Sequence, residues 1–147
     1  MSPQEVIEGM EKAKATGIEV LASFIFGIGG KERSKEHIQR TTELLNIIKP
    51  EQIAPMALTI QPGTELEAQV NSGEFIQATP LQILEEEKYL LENMSEFETF
   101  YWGDHGNNIV PMKGRLPEAR EIFLNEIKNA IKTNPVTKQE IWQAVPW

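Results

Sequence analysis

Residues 17–30 read GIEVLASFIFGIGG, and this stretch limits the fold more than any other. Val20, Leu21, Phe24, Ile25 and Phe26 are apolar with almost no polar alternation, the pattern expected of a strand covered on both faces. The run is short for a helix, and its β-branched and aromatic content favours the extended form. Gly17 ahead of it stops a preceding helix. Gly27, Gly29 and Gly30 behind it put a glycine-rich loop where a parallel strand's carboxyl end meets the next connection. In α/β proteins ligands sit at that edge, because the helices covering the sheet leave it open.

The flanking segments extend the pattern. Ser2-Pro3-Gln4-Glu5 has the form of a capping box, and Val6, Ile7, Met10 and Ala13 follow at helical spacing. Ser34 opens a second helix with His37, Ile38, Thr41, Leu44, Leu45 and Ile48 on one stripe, ended by Lys49-Pro50. Residues 52–60, QIAPMALTI, predict a second buried strand, with Pro55 weighing against its early half. Helix, strand, helix, strand is the repeat of a parallel α/β sheet.

Gln61-Pro62-Gly63-Thr64 turns into a short helix over 65–71. Thr79 and Pro80 start a helix through residue 93, with Ile83, Leu84, Leu90 and Leu91 inward and Glu85-Glu86-Glu87 on a solvated face. Residues 97–102 predict a short aromatic strand, 103–115 a polar glycine-rich loop, and 116–132 a helix with Ile122, Phe123, Ile127 and Ile131 inward. The expected fold class is α/β, a small, mainly parallel sheet with flanking helices in one domain over 1–132. Residues 133–147 are expected to form a C-terminal tail, one short helix or turn.

Composition removes whole classes of function. The chain has no cysteine, so it offers no disulfide, thiol nucleophile, thiolate zinc site or cysteine-held iron–sulfur cluster. A net charge of −8 argues against nucleic-acid binding, which needs a basic face to displace counterions. No apolar run approaches a bilayer span, and Met1 is not followed by a basic and then apolar leader. The expectation is a cytoplasmic protein without a membrane partner.

Two segments are candidates for chemistry. The glycines at 27–30 bring backbone amides close to a nucleotide or phosphate, or simply form a strand-to-helix turn. The spacing fits neither a Walker loop nor the dinucleotide fingerprint. In Asp104-His105-Gly106-Asn107-Asn108, His105 is a candidate general base or substrate hydrogen-bonder. The alternative is that Asp104 and the asparagines satisfy turn backbone. His37 is the other histidine, mid-helix, and no ligand spacing supports a metal site. A hydrolase using Asp104 and His105 lacks a serine in a nucleophile elbow.

GIEVLASFIFGIGG, then SKEHIQRTTELLNIIKPEQIAPMALTIQPGTEL, then DHGNNIVPMKGRLPEAREIFLNEI together resemble the C-terminal half of a radical S-adenosylmethionine (SAM) protein. The similarity is to the group of oxygen-independent coproporphyrinogen oxidase-like and Elongator-type members. It implies half of a partial TIM-type barrel of six βα units, with SAM across the strands' carboxyl ends and a four-iron four-sulfur cluster on a CxxxCxxC loop. The family motif Gly-x-Ile-x-Gly-x-x-Glu aligns with 23–30: Ile25 and Gly27 match, while Ser23 and Gly30 replace the first glycine and the acid. The resemblance thereby implies cofactor contacts at Ser23, Ile25, Gly27, Gly29 and Gly30. It implies substrate-facing positions at Thr59, Gln61, Thr64, Asp104, His105, Asn107 and Asn108. Lacking the cluster cysteines, this chain alone is expected to be inactive. It would form a homodimer or pair with the N-terminal half of the barrel. The alternative is a stand-alone, non-catalytic α/β domain that binds a ligand or partner.

Overall fold

In the computed structural model, which describes residues 1–133, α1 (Pro3–Ala15), β1 (Leu21–Phe26), α2 (Ser34–Ile48) and β2 (Gln52–Ala57) open the chain. They are followed by α3 (Glu65–Ser72), α4 (Pro80–Asn93), β3 (Thr99–Gly103), β4 (Met112–Leu116) and α5 (Arg120–Lys132). The caps read from the sequence start their helices. Ser2 Oγ accepts from Glu5 N while Glu5 Oε2 accepts from Ser2 N, and Thr79 and Gln82 make the same reciprocal pair ahead of α4.

The four strands form one open sheet in the order β1-β2-β3-β4. β1, β2 and β3 are parallel, and β4 returns antiparallel to β3, with Tyr101 opposite Gly114. Burial alternates along every strand. Ala22, Phe26, Ile53, Pro55, Ala57, Tyr101, Met112 and Leu116 are buried, in a core shared with Ile38 and Leu45 of α2, Leu84, Leu90 and Leu91 of α4, and Phe123, Leu124 and Ile127 of α5. Leu21, Ser23, Ile25, Gln52, Ala54, Met56, Phe100 and Trp102 point to the opposite face and are exposed or half-buried. No helix among the described residues is long and apolar enough to cross a membrane.

Several expectations need correction. β1 is not covered on both faces. It is an edge strand with β2 as its one neighbour in the sheet, and Leu21 keeps 49% of its surface exposed. β2 ends at Ala57 rather than at residue 60, and Pro55 lies within it. Gln52 N and Leu58 N donate to Val20 O and Phe26 O, so the odd-numbered residues of β2 turn their amides away from β1. Pro55's missing donor thus falls on the β3 side, beyond the last paired residue, Ile53.

Residues 103–115 are not simply a loop, because β4 begins within them. Lys113, Gly114 and Arg115 give this strand little intrinsic propensity. Gly114 instead admits Phe123, whose ring would lie 3.3 Å from a β-carbon there. The last helix starts at Arg120, after a cis Leu116–Pro117 bond, and Leu124 rather than Ile122 faces the core. Apart from Thr133, the tail over 133–147 lies outside the described residues.

Candidate functional site

β1 and β2 run side by side with Ile25 opposite Met56, and both side chains point to the uncovered face. Beyond their carboxyl ends the chain opens a cleft of about 230 Å³, lined by Ile25, Met56, Ala57, Leu58, Thr59, Gln61, His105 and Asn107. Its walls are mainly apolar, with a few polar groups at the rim, the make-up of a small-molecule site. Thr59 Oγ1 is buried there without a hydrogen-bond partner. An orphaned hydroxyl of this kind costs about 1–3 kcal/mol.

The asparagines build one wall. Past Ile53, β2 has lost its ladder to β3, and two side-chain amides take over. Asn108 Oδ1 accepts from Ala57 N at 2.8 Å, and its Nδ2 donates to Pro55 O and Gly103 O at 2.9 and 3.0 Å. Asn107 Nδ2 donates to Ala57 O, and its Oδ1 lies 2.6 Å from His105 Nδ1. The Asn107 backbone N–H also donates to His105 Nδ1 at 3.4 Å, so both ends of Asn107 hold the imidazole against the wall.

The other predicted residues divide. Ile25, Thr59, Gln61, His105 and Asn107 share the cleft. Gly29 and Gly30 line a separate hollow with Phe75 and Ile76. Their close packing is structural: a β-carbon on Gly29 would lie 2.8 Å from Arg33 O, and one on Gly30, at φ +66°, 2.8 Å from Ile76 O. Ser23 Oγ donates to Ala54 O on the open face. Thr64 caps α3 by accepting from Glu67 N, and Asp104 pairs with Lys113 at 3.4 Å. Asn108 is spent on backbone.

Gly27 is engaged as well. Its amide donates at 2.8 Å to Glu86 Oε2, while Ser34 Oγ donates at 2.6 Å to Glu86 Oε1. Glu86 and Glu87 are 2% and 3% exposed, which corrects the solvated face expected for this acidic run. Burial pushes the Glu86 carboxyl above its ordinary range, against the Ser34 and Gly27 hydrogen bonds and the nearby His37. Burial raises Glu87 to about 7, with the 2.6 Å bond from Tyr101 Oη working the other way. Met56, Leu58, His37 and Glu86 are the residues the sequence reading did not single out. Helical spacing held a signal for two acids, since Glu86 follows Ile83 by three and Glu87 precedes Leu91 by four.

Among the described residues no group of three or more acids and histidines could hold a metal ion. The described residues form an α/β protein with an open, mostly parallel sheet, helices packed on one face, and a cleft at the strands' carboxyl ends. Comparison with models of protein families, with curated protein sequences and with solved structures finds no match.

Proposed function

We propose that this chain forms the C-terminal half of a radical SAM-type barrel, and that its cleft is the adenine-side wall of the SAM site. The observation that carries the reading is the apolar cleft where Ile25 meets Met56, at the carboxyl ends of parallel strands and on the face that no helix covers among the described residues. A barrel turns that face inward, so residues such as Ile25, Met56 and Phe100 would line its interior. Ile25, Met56 and Leu58 suit the flat faces of a purine, and Thr59 and Gln61 suit its polar edge. SAM, when bound, supplies the sulfonium that such enzymes cleave. The cluster does not fit this chain, which has no cysteine, so its ligands would come from the other half of the barrel.

S-adenosylhomocysteine titration by calorimetry tests the reading. The wild-type chain is expected to bind, and Ile25→Asp to abolish binding while leaving the thermal midpoint nearly unchanged, because Ile25 lies outside the helix-covered core. Failure of the wild type to bind, or equal binding by Ile25→Asp, overturns it. The absence of cysteine favours a second reading, a non-catalytic domain that binds a ligand or partner. A cysteine-bearing N-terminal segment that restores SAM cleavage on mixing would decide for the first.

A further inference from the structure

The cleft has two backbone walls, and each strand behind them ends without a neighbour on one side. For β2 that side is completed by Asn107 and Asn108. β1 has the same need. Phe26 O accepts from Leu58 N on the β2 side, so Ile25 O and Gly27 N point to the outer edge of the sheet. There His37 Nε2 lies 2.9 Å from Ile25 O, and Glu86 Oε2 lies 2.8 Å from Gly27 N. A carbonyl only accepts, so His37 must carry its proton on Nε2. Ser34 Oγ fixes the second oxygen of Glu86.

We infer that His37 and Glu86 are positioning residues for this cleft, gripping the backbone on either side of Phe26 so that Ile25 is held against the ligand. The inference rests on the proposed role of the cleft. One helix supplies each grip: α2 carries His37 and α4 carries Glu86. An edge strand without them is free to fray at its last residues, and the apolar wall frays with it. A site whose walls are fixed beforehand loses less free energy on binding.

The test measures S-adenosylhomocysteine affinity in His37→Phe, Glu86→Leu and Glu86→Gln, with Leu124→Ala as a core variant away from the cleft. Amide exchange at Gly27 is followed in each. Expected is a loss of affinity on the order of tenfold in His37→Phe and Glu86→Leu. Glu86→Gln, which keeps an acceptor for Gly27 N, is expected to bind near wild type, and Leu124→Ala to bind normally despite lower stability. Wild-type affinity in both His37→Phe and Glu86→Leu overturns the inference and leaves the cleft's role intact. So does a loss in Leu124→Ala equal to theirs, since general loosening then explains the effect. Absence of binding by the wild type overturns the adenine reading instead. The grip is then judged by Gly27 exchange alone, supported if it accelerates in Glu86→Leu but not Glu86→Gln, and refuted if it is unchanged.

Discussion

Glu87 places an acid in the core. It is buried under the sheet with Tyr101 Oη donating to it, and burial lifts its carboxyl to about 7 from an ordinary 4.5. The folded state therefore holds a proton that the unfolded state releases. Between about pH 4.5 and 7 the native form binds more protons, so stability falls as pH rises and levels off above about 7. A shift of this size corresponds to about 3 kcal/mol. Glu87→Gln keeps an acceptor for Tyr101 and has no charge to bury. It should flatten that part of the stability–pH curve and raise stability at pH 8 by up to about 3 kcal/mol, measured by urea denaturation across pH. An unchanged slope would show that other groups carry the dependence. Asn108 is a second such residue. Asn108→Ala strips partners from Ala57 N, Pro55 O and Gly103 O, and should cost roughly 2–4 kcal/mol with faster exchange at the Ala57 amide. Helical spacing hinted that Glu87 faces inward, but neither residue's partners were visible beforehand. A run of three glutamates reads as a wet helix face, and NN in a polar loop reads as a turn, because Tyr101 lies 14 residues from Glu87 and Ala57 and Pro55 lie 51 and 53 from Asn108.

At the scale of elements, local chemistry was legible and tertiary partnership was not. The Ser2 capping box, the Thr79 cap and the helix–strand alternation follow from neighbours in sequence, and all are present. β4 was missed because Met112–Leu116 is a strand only by pairing with β3 and by yielding space to Phe123 at Gly114. Caps of equal chemistry should also differ in consequence. α4 buries Leu84, Leu90 and Leu91, whereas α1 has no buried residue: its apolar stripe is half-buried and its Lys14 donates to Ile48 O and Lys49 O. Thr79→Ala should therefore lower global stability by about 1 kcal/mol, or about 3 °C in midpoint. Ser2→Ala should leave the midpoint in place and speed amide exchange only within α1. Equal shifts in the midpoint would mean that α1 unfolds with the core.

The whole molecule poses one imbalance. Parallel strands are nearly always covered on both faces, yet among the described residues the helices cover β1, β2 and β3 on one. On the other, Leu21 and Trp102 keep 49% and 39% of their surfaces exposed, with Ile25, Met56 and Phe100 half-buried between them. The apolar run in 17–30 implied two-sided cover because composition records that a strand wants burial, not which chain provides it. Covering this face gains about 25 cal/mol for each Å² of apolar surface removed from water, so a purified chain should associate through it. Sedimentation velocity at micromolar concentration should show dimers or larger species, and Leu21→Lys with Trp102→Lys should return the chain to monomer. Trp102 gives up only an exposed bond to Gln52 and a tilted contact with Phe100, so the double variant's thermal midpoint should scarcely move. A wild type that stays monomeric would mean that the face tolerates water, and a marked loss of midpoint in the variant that these side chains are already packed. Association that disappears with the midpoint intact would assign the contact to this face of the sheet, because Leu21 and Trp102 are its two most exposed apolar side chains.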